Sequence, residues 1–93
     1  MKVHTLKIWP HFLAEIIQGR KTFDIRSTKD RVFQAGDQIQ LQAFDPVRGE
    51  FIAGQAPCYV NIVAVYSALP GLEPGYVALS IVPVNQHDNS LRA

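Results

Sequence analysis

The sequence predicts a mainly β domain of the α+β class, with one or two short helices. Three observations lead there. Apolar residues recur at period two in several separate stretches, as in half-buried strands. Only one stretch, between Pro10 and Gly19, has helical spacing. Turn-forming Gly, Pro and Asp residues divide the stretches from one another. Five or six strands with so little helix point to a small, strongly bent sheet closed into a partial barrel, because closure removes most exposed sheet edges. An open α+β sandwich is the alternative.

The elements follow in order. Val3 to Ile8 alternates loosely and reads as the first strand. Pro10 suits a first helical position and Gly19 a position just past a helix end. Between them Phe12, Leu13, Ile16 and Ile17 form one apolar stripe. Residues 22–26 read as the second strand, with Phe23 and Ile25 on its buried face and Thr22, Asp24 and Arg26 on its polar face. Residues 27–37 are polar, anchored by Val32 and Phe33, with a turn at Gly36 and Asp37. Residues 38–42 alternate strictly, and Asp45, Pro46 and Gly49 then make a hairpin turn. Residues 59–66 form a long strand with Val60, Ile62 and Ala64 on one face. After a loop from Leu69 to Gly75, residues 76–82 form the last strand, with Val77, Leu79 and Ile81 inward. Residues 1–84 are read as one domain and residues 85–93 as a loose C-terminal tail.

Composition narrows the class. A chain of 93 residues has room for one core, and 47% hydrophobic with 18% charged residues is globular, not disordered. The single cysteine, Cys58, precludes an internal disulfide and fits a reducing cytoplasm. No apolar run reaches membrane-spanning length, and polar residues interrupt the N-terminal segment too often for a secretory leader. The net charge of +1 conceals polarity. Residues 1–36 carry seven Lys/Arg against three acids, a balance of +4, whereas residues 37–93 carry two against five, a balance of −3. A chain polarised in this way can offer a basic face to an anion; ordinary scatter of surface charge is the plainer account.

The densest chemistry lies in residues 19–26. Lys21 follows the helix end, where its ammonium can reach a phosphate or simply complement the helix dipole. Arg26 offers a planar fork for phosphate or carboxylate, or a partner for Asp24 two positions away. Asp24 can accept from an exocyclic amine, act as a general base, or serve as the partner of Arg26. Thr22 shares their face. His4 is a candidate cleft residue or proton shuttle, with a structural strand histidine as the alternative. Trp9 can stack on a base or pack at the helix entry. The three histidines lack metal-ligand spacing, there is no Gly-rich phosphate loop, and no cofactor is expected.

Gly19-x-Lys21-x-x-Asp24-x-Arg26 resembles the G-x-K-x-x-E-x-R signature of ASCH domains, members of the PUA-like superfamily, with Asp24 where the family usually has Glu. The similarity extends to His4-x-Leu6-Lys7-Ile8, to Asp30-Arg31-x-Phe33-x-x-Gly36-Asp37, to Phe44-Asp45-Pro46-x-x-Gly49 and to Gly75-Tyr76-Val77-x-Leu79-Ser80-Ile81, so it covers roughly residues 2–83. These blocks are similar to a small bacterial and phage subgroup of unknown function. The resemblance implies a PUA-like β pseudobarrel with the signature lining a cleft between barrel and helix. It also implies an RNA or nucleotide partner; read with the residue chemistry above, the binding set is Lys21, Thr22, Asp24, Arg26, His4 and Trp9, and no membrane partner is expected.

A hydrolase is the alternative function, with Lys21 and Asp24 as its catalytic pair. One ASCH branch comprises acetylcytidine amidohydrolases that use a Lys, a Thr and a Glu. Their Lys matches Lys21, but Asp24 occupies the Thr position, and Glu73 is a loose counterpart of the Glu. A carboxylate there cannot form the same acyl ester. Ribonuclease activity also occurs among ASCH proteins, and Lys21 with Asp24 suits acid–base cleavage.

Overall fold

A computed structural model describes residues 1–84; the expected tail lies outside the described residues. Six strands and one helix follow in the order β1 (Val3–Ile8), α1 (Pro10–Ile17), β2 (Phe23–Ser27), β3 (Gln38–Asp45), β4 (Glu50–Phe51), β5 (Cys58–Tyr66) and β6 (Tyr76–Pro83). They form one sheet in the order β1-β3-β5-β6-β2, with β4 paired to β3. Only β1 and β3 are parallel, and the crossover between them contains α1. The remaining pairs are antiparallel.

The sheet is curled. Laid flat, five neighbouring strands at about 4.8 Å spacing would hold β1 and β2 roughly 19 Å apart. Yet the Arg26 side chain on β2 reaches the backbone carbonyl of Lys7 on β1, Nη2 to O, at 2.9 Å. The two edge strands therefore approach each other, but no backbone ladder joins them among the described residues. The expected closure is not made by strand pairing.

The core lies inside the curl and under the helix. Leu13 and Ile16 of α1 pack with Ile8, Ile39, Leu41, Val60, Ile62, Leu79 and Ile81, all buried. The alternation predicted for β3 and β6 is the alternation observed. Asp45 Oδ1 accepts from the amides of Val47 and Arg48, which organises the β3–β4 hairpin, and Gly49 completes it at φ 71°.

Several expectations need correction. The strand β2 starts at Phe23 rather than at Thr22, and its faces are reversed. Phe23 is 50% and Ile25 48% exposed, while Asp24 is buried. As an edge strand, β2 turns one face into the narrow space beside β1, where Lys21 and Arg26 meet the charge of Asp24. Phe23 and Ile25 then cover the outer surface beside Ser80 and Ala78 of β6. Ile17 is exposed at the end of the helical stripe, and Phe33 alone, not Val32, anchors residues 27–37. In β5 a bulge lies between Ile62 and Ala64, so that Val65 replaces Ala64 opposite Leu79 and against the core.

These assignments are separable by stability. Leu79→Ala, at a fully buried site, should cost roughly 2–5 kcal/mol. Phe23→Ala should cost only about 1 kcal/mol, since half its surface remains wet. Urea midpoints at equal slope measure both; comparable losses would restore the inward placement of Phe23.

Candidate functional site

Strand geometry sets which backbone groups line the gap between β1 and β2. In an extended strand the N–H and C=O of one residue point to the same side, and successive residues alternate. The carbonyl of Lys2 accepts from Gln38 of β3. Lys2, His4 and Leu6 therefore point their backbone groups toward β3, and Val3, Thr5 and Lys7 point theirs into the gap. The carbonyl of Thr22 accepts from Ile81, and the amide of Thr28 donates to Gly75. Asp24 and Arg26 thus address β6 through the backbone, and Phe23, Ile25 and Ser27 face the gap from the other side.

Two cations cap carbonyls along this seam. Lys21 Nζ donates to the Phe23 carbonyl at 2.6 Å. Arg26 Nη2 donates across the gap to the Lys7 carbonyl. The buried Asp24 carboxylate holds both cations. Its Oδ2 accepts from Arg26 Nε at 2.6 Å, and its Oδ1 from Lys21 Nζ at 3.4 Å. The Lys21 ammonium also sits over two rings, 4.4 Å from the centroid of Phe23 and 5.4 Å from that of Phe12. Phe12 in turn stacks on Trp9, with centroids 5.6 Å apart and planes 10° from parallel. Trp9 is the N-cap residue of α1 and is half exposed.

The predicted site residues therefore divide. Lys21, Asp24 and Arg26 form one cluster, with Trp9 joined to it through Phe12. Thr22 is exposed, and its carbonyl belongs to the β2–β6 pairing. His4 lies elsewhere, one ring of a buried pair. Its Nε2 is 2.9 Å from Asp37 Oδ2, and its ring lies 4.7 Å from Phe33. Asp37 also accepts from the amides of Lys2 and Gln34. A cavity of about 250 Å³ lined by Met1, Lys2, Val32, Gln34 and Asp37 opens beside that pair, not at the seam.

Sequence reasoning missed Phe12 and Phe23 as the walls around Lys21, and Asp37 as the partner of His4. The helical stripe signals Phe12 as apolar but not as a cation's neighbour. Asp37 reads as a turn residue until the β1–β3 register sets Val3 against Gln38. Among the described residues no group of three or more His, Cys, Asp or Glu is placed to hold a metal ion. No helix there is long and apolar enough to cross a membrane.

The hydrogen bond from His4 is the main influence holding the Asp37 carboxyl below its ordinary pKa; burial opposes it, and the Lys2 and Gln34 amides assist. A depressed folded-state pKa contributes stability that is fully present above the unfolded value of about 3.9 and is lost as pH falls through the folded value. Urea unfolding across that acid range should show native stability dropping, with a smaller drop in Asp37→Asn. Equal acid sensitivity in the variant would remove Asp37 from the account. At the seam, Asp24→Ala strands two cations and should cost about 3 kcal/mol.

Residues 3–81 match a family model described as "Domain of unknown function (DUF3850)". The match spans most of the chain, which therefore belongs to that family. No curated protein matches it. Among solved structures, the chain titled "Crystal structure of hypothetical protein PH0355" is similar at a TM-score of 0.56 and 20% identity, over 90% of this chain and 100% of that one. At such identity the likeness concerns the fold.

Proposed function

We propose that this member of the DUF3850 family is an ASCH-type module that binds RNA or a nucleotide, with its phosphate site at the seam between β1 and β2. On this reading the curled sheet is a PUA-like pseudobarrel whose missing ladder is the binding cleft. One observation carries the proposal: among the described residues a single carboxylate, Asp24, faces two cations. The cluster keeps a net positive charge in a setting where the Lys21 and Arg26 side chains are only 11% and 22% exposed.

Donor counting points the same way. Lys and Arg carry three and five N–H donors, and among the described residues Lys21 and Arg26 use four of them, on Phe23, Asp24 and Lys7. The remainder, with the backbone amides that face the gap, make a donor-rich strip suited to an oxyanion. Two acceptors on that strip, the Phe23 and Lys7 carbonyls, are already capped. Trp9, stacked on Phe12 beside Lys21, supplies a ring face for a base.

Binding is favoured over catalysis by the state of Asp24. Both carboxylate oxygens are engaged by cations, so a general base would first have to be released from them. The reading of Asp24 as an acceptor for an exocyclic amine weakens for the same reason. The single thiol, Cys58, suits a reducing compartment, and a cytoplasmic location belongs to the same proposal.

Trp9 is the chain's sole tryptophan, so its fluorescence reports ligand at the cluster. Titration with single-stranded RNA should give weak, salt-sensitive binding. About three phosphate contacts correspond to a log–log salt slope of about −2. Arg26→Ala and Lys21→Ala should each weaken binding, and acetylcytidine and RNA should remain chemically unchanged on incubation. Absence of binding to RNA and to nucleoside monophosphates at low salt would defeat the proposal. Turnover abolished by Asp24→Asn would transfer it to the hydrolase reading.

A further inference from the structure

The outer face of the β3–β4 hairpin carries features that the seam does not use. Lys7 belongs to both regions. Its carbonyl receives Arg26 in the gap, while its side chain places Nζ 4.3 Å from the Phe44 ring centroid and 5.9 Å from that of Phe51. Gln42 stands opposite Lys7 in the β1–β3 register. Phe51 meets Phe44 edge-on at 5.2 Å and remains half exposed. Beside it opens a cavity of about 170 Å³, lined by Gln42, Ala43, Phe51, Ile52, Gln55 and Pro57.

That volume is below the roughly 300–1,000 Å³ of sites for drug-sized molecules and suits one planar ring. The lining combines an aromatic face with two carboxamides, each offering donors and an acceptor. Among the described residues the Gln55 amide donates to its neighbour's carbonyl on Ala56 alone, at a long 3.4 Å, so it is available to a better partner. The Lys7 ammonium supplies a positive charge over the Phe44 and Phe51 rings, and the carbonyl of the same residue belongs to the seam. Paired donor and acceptor edges, a stacking face and an adjacent phosphate are the attributes of a nucleotide. Glutamine carboxamides pair with such base edges, and exposed aromatic rings stack on them.

We infer that the hairpin cavity is a second nucleobase subsite, so that the ligand is a single-stranded chain of at least two nucleotides, one base in the cavity and a phosphate at the seam. The inference rests on the phosphate-binding reading of the seam. It requires a dinucleotide to bind more tightly than a mononucleotide, by about tenfold if stacking contributes about 1.4 kcal/mol.

Calorimetric titration of adenosine 5′-monophosphate and of the dinucleotide pApA tests it on the unmodified protein, Phe51→Ala and Gln55→Ala. The expected result is tighter binding of pApA, a gain lost in Phe51→Ala and reduced in Gln55→Ala, with monophosphate affinity unchanged in both. The side-chain amide NMR signals of Gln42 and Gln55 should move with pApA, which decides the matter if Phe51→Ala fails to fold. Equal affinity for the two ligands, or undiminished pApA binding in both variants, overturns the subsite while leaving the seam intact. Failure of both ligands to bind the unmodified protein instead removes the seam reading, and the subsite with it.

Discussion

Asp24 is the constraint from which the arrangement around the seam follows. A buried carboxylate is tolerated only when it is paired and hydrogen-bonded. Here it draws Lys21 and Arg26 to one point. Once there, the two cations reach carbonyls on the two edge strands, Phe23 on β2 and Lys7 on β1. A five-strand path that would otherwise present two bare edges is thus bridged by one side-chain contact, Arg26 to the Lys7 carbonyl. An exposed edge is an invitation to unwanted pairing, and charged residues on both strands discourage it.

On the proposed reading, the same arrangement links stability to recognition. A backbone ladder between β1 and β2 would consume the amides as well as the carbonyls of both edges. Side-chain closure engages two of the carbonyls, those of Phe23 and Lys7, and leaves the amides over. An anion entering the seam would compete with the Lys7 carbonyl for Arg26, so occupancy and edge contact are energetically coupled. The His4–Asp37 pair has a different part. It ties the start of β1 to the turn before β3 and to the segment that carries Phe33.

Much of this was legible in the sequence because local patterns determine it. The alternation of Ile39 and Leu41, and of Val77, Leu79 and Ile81, survives intact because those strands are central and buried on one face. Asp45 and Gly49 announce the hairpin through turn chemistry that needs no tertiary context. The face of β2 was misread for a physical reason. Period two says that Phe23 and Ile25 share a side, but not which side is dry. That choice depends on what lies across the gap, and an edge strand opposite another edge can turn a charged face inward when counter-charges await it. The pairing of Asp24 with Arg26 is one the spacing offers; that Lys21 joins them is not, because alternation sets Lys21 on the side of Phe23. The capping of Lys7, the rings of Phe12 and Phe23 around Lys21, and the partnership of His4 with Asp37 depend on long-range register, which spacing does not carry.

The central claim is that the seam holds an anion as well as the fold. A crystal structure of the protein soaked with a nucleoside monophosphate tests it most directly. The account predicts the phosphate group within hydrogen-bond distance of Arg26 and Lys21, with Asp24 still bound to both. A phosphate bound elsewhere, with the Arg26–Lys7 contact undisturbed, would contradict it and leave the cluster a structural clasp.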